Sequence, residues 1–234
     1  MTAEAADTAA VSGLLLVDKP AGVTSHDVVD VARRAYGERS IGHLGTLDPF
    51  ATGLLVLLFG RATRLATFID NEPKVYEATI HFGRETDTDD VTGAVVRTAA
   101  LPTPQRVREC IPSLTGEIDQ TPPAYSAKKV AGQPAYRAAR AGEQVDLKPA
   151  RIHVHQWNVH ALTERALTAT IVCGAGTYIR ALARDLGRLA GSAAHLEMLR
   201  RTRSGEFDVR DAAPLEQLRS AERPRVRHLR IVAE

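Results

Sequence analysis

The chain has 234 residues, 44% of them hydrophobic, which is enough for one sizeable domain or two small ones with a real core. Its formal net charge of +2 permits nucleic-acid binding without requiring it, so local clusters of basic residues must decide that question. No apolar run approaches the roughly 20 residues of a membrane helix. Cys110 and Cys173 belong to no CxxC pair, which argues against a zinc site or a disulfide framework. We therefore expect a cytoplasmic protein without membrane attachment.

The N-terminal region combines a polar leader with a strand and a helix. Residues 1–12 lack the basic and apolar regions of a signal peptide, and we interpret them as a disordered leader. Residues 14–17 form an apolar run that predicts a short buried strand, followed by a turn. Thr24 or Ser25 is expected to cap a helix that stops at Gly37.

Residues 42–53 place one carboxylate, that of Asp48, among glycines, a proline and apolar residues. Because Pro49 disfavours helical geometry in the residue before it, we expect Asp48 on a fixed, extended loop. The glycines of this stretch permit close backbone approach, which favours a site. From the residues alone, a turn aspartate and a site aspartate both stay open. Residues 54–59 then predict a central strand buried on both faces.

The next segment predicts a short helix over residues 62–69 and an alternating strand over residues 74–83. Tyr76 begins the apolar face of that strand, and the pattern alone favours a core tyrosine. Residues 84–93 are acidic and rich in turn formers. They superficially match a calcium-binding loop, but the twelfth position is Thr98 instead of a glutamate. We predict a solvated turn without metal.

The middle of the chain contains a basic segment. Thr103 and Pro104 predict the start of a short helix that Pro112 ends. Residues 125–151 then interleave two tyrosines with basic side chains, namely Lys128, Lys129, Arg137, Arg140, Lys148 and Arg151. Such a surface suits contact with a phosphate backbone and stacking on exposed bases. The alternative is an ordinary solvated helix and loop.

The last third of the chain predicts a hairpin, a helix and a basic tail. Residues 152–159 and 166–173 form the hairpin, in which His153 and His155 share a face without a third metal ligand. Residues 174–180 open a helix with an apolar stripe. Judged by the local pattern only, Arg180 would be a solvent-facing helix arginine. By the same criterion, Leu199 would be a core residue. A short helix over 214–218 precedes a basic tail.

The stretch around Asp48 reads Gly42-His43-x-Gly45-x-Leu47-Asp48-Pro49-x-Ala51-x-Gly53. It closely resembles the catalytic motif of the bacterial tRNA pseudouridine-55 synthases, the TruB family. Further matches are Lys19-Pro20, Lys74-x-Tyr76, Gly176-Thr177-Tyr178-Ile179-Arg180, the Leu199 segment, and an RNA-binding thumb that starts at Pro122-Pro123. Position 175 is Ala where many bacterial members have Lys, which puts one phosphate contact in doubt. The resemblance covers residues 13–207.

This resemblance implies an α+β protein with the pseudouridine synthase fold, a mixed, mostly antiparallel sheet flanked by helices. It implies a catalytic domain over residues 13–210, with a basic thumb insertion at about 124–151. Residues 211–234 would form a short basic tail, too short for the complete PUA-type RNA-binding domain that relatives commonly carry.

The family also implies a role for each matched residue. Asp48 would be the nucleophile or would stabilise charge at C1′, and Arg180 would pair with it. Tyr76 would stack on the base and accept a proton, while Tyr178 and Leu199 complete the pocket. His43 would stack into the space that the flipped nucleotide leaves. Candidate contacts to the RNA backbone are Lys128, Lys129, Arg137, Arg200 with its neighbours Arg201 and Arg203, and Lys19, whose role we expect to be mainly structural.

The implied reaction is the isomerisation of uridine to pseudouridine at position 55 in the T loop of tRNA. It needs no redox change or net hydrolysis, so we expect no cofactor and no metal. The expected partner is the tRNA T stem-loop, with no obligate protein partner and a monomeric chain. Two alternatives stay open: a related synthase acting on another RNA, and a non-catalytic tRNA-binding or tRNA-folding protein. A hydrolytic ribosyl enzyme is disfavoured because most glycoside hydrolases need two facing carboxylates.

Overall fold

A computed structural model describes residues 12–126, 128–130, 133–134 and 147–227 of the chain. These residues divide into two compact units. The described residues up to Asn71 and from Arg201 onward form the first unit, and those from Glu72 to Arg200 form the second. In the described part of the chain, no helix has the length and apolar character needed to cross a membrane.

Most of the elements are strands, and several of them follow one another directly along the chain. The strands are β1 (Gly13–Lys19), β2 (Ile41–Leu44), β3 (Thr52–Phe59), β4 (Lys74–Phe82), β5 (Arg84–Thr86), β6 (Val95–Thr98), β7 (Gly116–Gln120), β8 (Lys129–Val130), β9 (Gln133–Pro134), β10 (Ala150–Leu162), β11 (Ala166–Cys173), β12 (Ala194–Ser204), β13 (Phe207–Asp208) and β14 (Ala213–Pro214). The α-helices are α1 (Ser25–Tyr36), α2 (Pro104–Cys110) and α3 (Ile179–Leu189). Short 3-10 helices are Gly60–Leu65, Ile111–Leu114, Val209–Asp211 and Leu215–Arg219.

The first unit is organised around β3, which is buried along nearly its whole length as predicted. Strand β1 pairs antiparallel with β3 from Gly13–Phe59 to Lys19–Gly53, and β2 pairs with β3 as well. Side chains of β3 alternate between two cores. One contains Leu55, Leu57 and Phe59 with the apolar face of α1, and the other contains Leu54, Val56 and Leu58 with Ala62 and Phe207. A strand covered on both faces explains the continuous apolar run.

Helix α1 begins and ends at the residues that the sequence predicted. The Thr24 side chain accepts from the backbone N–H of Asp27, and the Asp27 carboxylate accepts from Thr24 in return, which is a complete capping box. Gly37 ends the helix in the left-handed conformation.

The segment after β13 packs into the first unit as far as it is described. Strand β14 pairs parallel with β1, and Leu215 and Leu218 are buried in the core that contains α1. Leu14 and Arg227 exchange two backbone hydrogen bonds of 2.8 Å. The expected short helix is present as a 3-10 helix, Leu215–Arg219, and the described part of the predicted tail forms part of this core.

The second unit contains the strand order β4, β11, β10, β7, with antiparallel pairing throughout. Tyr76, Ala78, Ile80 and Phe82 point to the buried face of β4, which confirms the predicted alternation. The predicted hairpin is β10 and β11. Strand β7 was not predicted, because residues 116–120 carry no alternating pattern and pair only with distant β10.

Two further predictions need correction. The predicted helix over residues 62–69 is a 3-10 helix that ends at Leu65. The acidic residues 84–93 are not a solvated turn, since Glu85, Thr86, Asp89 and Asp90 are all buried. Their carboxylates are compensated by arginines and hydroxyls, which the linear sequence does not reveal.

Candidate active site

The Asp48 loop leaves β2 and enters β3 in the first unit. Asp48 is half-buried, between the buried residues Leu47 and Ala51. The Ser25 hydroxyl accepts from the Leu47 N–H at 2.9 Å and donates to the Leu47 carbonyl at 3.0 Å. On the other side, the Ala51 N–H donates to the Asp48 carbonyl at 3.1 Å. The backbone that carries the carboxylate is therefore fixed on both sides, as the sequence predicted.

Lys19 also stabilises this loop through hydrogen bonds. Its side chain is fully buried, and its ammonium donates to the carbonyl oxygens of Pro20, Val23 and Pro49 at 2.9, 2.8 and 3.3 Å. Burial lowers the pKa of Lys19 to about 8, while the negative charge of Asp48 opposes that shift. The predicted structural role fits this geometry. The predicted contact between Lys19 and the RNA backbone does not fit this geometry, because protein carbonyls enclose the ammonium.

Arg201 is a second buried cation of this loop. Its Nε donates to the Leu54 carbonyl at 2.8 Å and its Nη2 to the Gly45 carbonyl at 2.9 Å. Only 1% of its surface is exposed, so Arg201 supports the loop and is not the phosphate contact that we expected. The backbone of Arg201 also passes so close to Gly53 that a Cβ there would lie 2.2 Å from the Arg201 carbonyl oxygen.

His43 lies on β2, opposite Leu57 of β3, and is half-buried. Its Nδ1 is buried and has no hydrogen-bond partner among the residues that the structure describes. Burial, and then the charges of Arg201 and His26, lower the pKa of His43, so the ring is neutral at physiological pH. A neutral aromatic ring is compatible with the stacking role that the resemblance implies for His43.

In the second unit, the predicted pocket residues lie on two strands and directly before a helix. Tyr76 is 7% exposed and stands opposite Ile171 in the pairing of β4 with β11. Leu199 lies on β12 and is 5% exposed. Tyr178 directly precedes α3, and the Gln120 amide accepts from its N–H at 2.9 Å and donates to its carbonyl at 3.1 Å. Gln120 thereby fixes the Tyr178 backbone, a contact that spans 58 residues and has no sequence signal.

Arg180 is buried, which rules out the solvent-facing alternative. Its Nη1 donates to the Thr88 carbonyl at 2.8 Å and its Nη2 to the Tyr125 carbonyl at 3.0 Å. The Asp90 carboxylate lies 3.6 Å from Nη1. These contacts hold the guanidinium in one orientation. Its pairing with Asp48 stays a prediction.

The buried acidic segment is the counterpart of α3. Arg184 donates to the Asp89 carboxylate and to the Thr121 carbonyl, both at 2.8 Å. Asp89 adopts a positive φ of 60°, and burial raises its pKa to about 6 against the opposing effect of Arg184. At the other end of the segment, Glu85 is paired with Arg97 and Arg188. The segment is thus a buried charge network along α3.

The remaining residues that were predicted to contact RNA differ in their exposure, and not all of them are described. Lys128 is exposed and Arg200 is half-buried. Lys129 belongs to β8, and Arg137 lies outside the described residues, as does most of the predicted thumb. Within the described residues, no group of three or more His, Cys, Asp or Glu side chains is arranged to hold a metal ion.

These placements give each unit a chemical capability. The first unit presents the half-buried carboxylate of Asp48 on a rigid loop, and the neutral imidazole of His43 on the strand before that loop. The second unit carries the aromatic ring of Tyr76, the aliphatic side chain of Leu199 and the guanidinium of Arg180, whose orientation is fixed by hydrogen bonds. A carboxylate serves as a nucleophile or charge stabiliser at a sugar carbon, and an aromatic ring stacks on a flipped base.

Solved structures with this architecture define its class. The chain matches the crystal structure of a Cbf5–Nop10–Gar1 complex with a TM-score of 0.66 and 29% identity, over 88% of this chain and 53% of that chain. It matches the archaeal box H/ACA sRNP Nop10–Cbf5 complex with a TM-score of 0.65 and 26% identity, over 92% and 55% of the two chains. The chain thus spans about half the length of these structures. The fold is that of the pseudouridine synthases, as predicted.

Sequence comparison narrows the class to one family. Residues 33–179 match the TruB family pseudouridylate synthase N-terminal domain, and residues 180–229 match the tRNA pseudouridylate synthase B C-terminal domain. The tRNA pseudouridine synthase B of Arthrobacter sp. (strain FB24) is 50% identical over 88% of this chain and 70% of that protein. The enzyme of the same name from Thermobifida fusca (strain YX) is 48% identical over 88% and 74%. The chain belongs to the TruB family, which confirms the predicted resemblance.

Proposed function

We propose that the chain isomerises uridine to pseudouridine in tRNA, at position 55 of the T loop. The observation that carries this proposal is Asp48, the carboxylate of the family's catalytic motif, on a loop whose backbone Ser25, Lys19 and Arg201 bond at three different residues. A catalytic group must be held within a fraction of an ångström of its working position, and this support provides that.

The reaction exchanges one bond to C1′ for another. The target uridine leaves its stack, at a cost of roughly a few kcal/mol. As the bond between C1′ and N1 breaks, the Asp48 carboxylate attacks or stabilises C1′. The detached base rotates and its C5 joins C1′, which releases the carboxylate. The proton on C5 is removed and N1 gains a proton, so the product is an isomer of the substrate.

Each predicted pocket residue has a part in these steps. Tyr76 stacks on the base and accepts the C5 proton, and Leu199 and Tyr178 keep the detached base from escaping. Arg180 keeps Asp48 ionised by placing a positive charge beside it. Three features support Arg180 in that role: its burial, its two carbonyl acceptors and the nearby Asp90. His43 fills the space of the flipped nucleotide.

The partner of this site is the T stem-loop of tRNA. The exposed Lys128 and the other basic residues of the predicted thumb supply contacts to its backbone. We propose a monomeric chain in the cytoplasm that needs no protein partner for this reaction.

The test is product mapping on unmodified tRNA. Wild-type protein should form pseudouridine at position 55, and Asp48→Asn should lose at least about 10³-fold in turnover while tRNA affinity changes less than about twofold. Asp211→Asn, the same chemical change at an exposed position of the first unit, is the control and should behave as wild type. Product at another position would favour a related synthase. Binding without any product would favour a tRNA-folding protein.

A further inference from the structure

A cavity of about 360 Å³ lies in the first unit, between the C-terminal half of α1 and the segment that includes Leu215–Arg219. The apolar part of its lining consists of Val31, Ala35 and Leu218. The lining also contains three arginines, Arg34, Arg219 and Arg223. None of the described residues that line the cavity is acidic. The proposed reaction uses none of these side chains.

Two of the three arginines have no acceptor among the residues that the structure describes. Arg34 and Arg219 are exposed, and neither side chain makes a hydrogen bond or an ion pair with any described residue. Arg223 donates to the Ala35 carbonyl, and its guanidinium lies 5.3 Å from the centre of the Tyr36 ring. Arg223 is therefore held in place, whereas no described residue accepts a hydrogen bond from the other two guanidinium groups.

This arrangement differs from that of arginines elsewhere in the chain. Arg33, only one residue before Arg34, pairs with Asp30 at 3.0 Å, and Arg210 pairs with Asp208 at 2.8 Å. Like charges around one cavity repel each other unless an anion joins them. A phosphate group offers several acceptor oxygens and matches the planar fork of an arginine in bidentate geometry.

The position of α1 indicates where that phosphate comes from. Ser25, the first residue of α1, bonds both backbone groups of Leu47, next to Asp48. Arg34 lies nine residues further along the same helix, which corresponds to roughly 14 Å at 1.5 Å per residue. Successive phosphates of one strand are about 3.4 Å apart along the axis of a DNA duplex. An RNA strand of comparable spacing, with one nucleotide at the Asp48 loop, would bring a phosphate to the cavity if it followed α1 for roughly four nucleotides.

We propose that this arginine cavity binds a phosphate ester of the substrate RNA backbone, away from the reacting nucleotide. The inference rests on the proposed function, because the RNA must place its target at Asp48. Free mononucleotides carry the same phosphate chemistry, so the experiment distinguishes the two sources.

The test variant is Arg34→Gln with Arg219→Gln, which leaves the structurally bonded Arg223 intact. The control is Arg108→Gln with Arg165→Gln, two exposed arginines elsewhere that change the net charge equally. Affinity for unmodified tRNA is measured over a range of salt concentrations. We expect the test variant to bind about tenfold more weakly at physiological salt, with the slope of log affinity against log salt reduced by about 1 to 2. The control should change affinity less than about twofold.

Three further readouts make the result decisive. Unfolding midpoints should be equal for all proteins, because the substituted side chains are exposed. Turnover at saturating tRNA should remain at the wild-type level in the test variant. If wild type turns over but the test variant binds tRNA with the affinity and salt slope of the control, the cavity inference is wrong and the proposed function stands. If wild type forms no pseudouridine, the proposed function fails first. If adenosine monophosphate binds wild type and not the test variant while tRNA binding is equal, the cavity takes free nucleotides and the RNA assignment is overturned.

Discussion

Lys19 is a buried cation whose ligands are backbone carbonyls of two separate segments, Pro20 with Val23 and the distant Pro49. Replacing Lys19 with Met would leave these oxygens without their donor and would loosen the residue that follows Asp48. We expect Lys19→Met to lower the free energy of unfolding by about 2 kcal/mol. Turnover should fall more than tRNA affinity, because the lost support acts on the catalytic loop.

The control for Lys19 is Arg108→Met, which removes an exposed positive charge outside the predicted thumb. Denaturant titration measures stability, and single-turnover assays separate chemistry from binding. If Lys19→Met and Arg108→Met have equal stability and equal turnover, Lys19 does not support the Asp48 loop.

Two constraints apply at position 53, and only glycine satisfies both. Its φ is +100°, and a Cβ would lie 2.2 Å from the carbonyl oxygen of Arg201, which is backbone and cannot rotate away. Gly22 also has a positive φ, +84°, but a Cβ there would meet nothing within 4 Å. We expect Gly53→Ala to destabilise the protein by about 3 kcal/mol or more and Gly22→Ala by about 1. Equal losses in denaturant unfolding would show that only backbone strain matters at Gly53.

At the scale of elements, α3 and the buried acidic segment form one charged unit. Arg180 and Arg184 are one helical turn apart, so they share a face and contact the segment that contains Asp89 and Asp90. The pKa of Asp89 in the folded protein is about 6, above its ordinary value of 3.8, so the folded state binds the proton more tightly. The contribution of Asp89 to stability therefore falls as pH rises from about 4 to about 6.

Asp89→Asn tests this coupling, because asparagine does not titrate. Between pH 4.5 and pH 7, we expect the free energy of unfolding of wild type, relative to Asp89→Asn, to decrease by about 2 kcal/mol. Denaturant unfolding at several pH values measures both curves. Parallel curves would mean that Asp89 does not take up a proton in this range. Because Asp89 is ionised at neutral pH, its ion pair with Arg184 is intact under physiological conditions.

The elements that the sequence predicted correctly are those with local signals. The capping box of α1 involves residues three apart, and the alternation of β4 is contained within nine residues. The contacts that were missed join distant parts of the chain. Arg201 reaches Gly45 across 156 residues, and Gln120 reaches Tyr178 across 58. A charged side chain in a sequence looks solvent-exposed until its buried acceptors are known, which explains why the burial of Lys19, Arg201 and the acidic segment was not predicted.

The predicted site residues show the same limit of sequence reasoning. Spacing and turn chemistry place Asp48 on a rigid loop, but they do not distinguish a turn from a site. The match to a long family motif favours the site, and the comparisons confirm the family of the chain, while the role of Asp48 stays a prediction. Tyr76 and Leu199 remain buried residues that a pattern alone assigns to the core.

At the scale of the whole molecule, the chain builds its first unit from two segments far apart in sequence, separated by the whole second unit. The core around α1 contains Val28 and Leu57 from the early segment and Leu215 from the late one. The unit that carries Asp48 therefore depends on residues that follow the second unit. Its stability should respond to substitutions in a region that the sequence predicted to be a tail.

Leu215→Ala tests this dependence. Leu215 is 5% exposed, so its truncation removes buried apolar surface and leaves a cavity, which costs about 2 to 4 kcal/mol. The control is Leu189→Ala, at a leucine of the second unit that is 42% exposed, for which we expect a loss below about 1 kcal/mol. Denaturant unfolding measures both variants. Pseudouridine formation by Leu215→Ala should decline at lower temperatures than in wild type, because the Asp48 loop belongs to the destabilised unit. Equal stability of the two variants would show that the late segment contributes little to the core that supports Asp48.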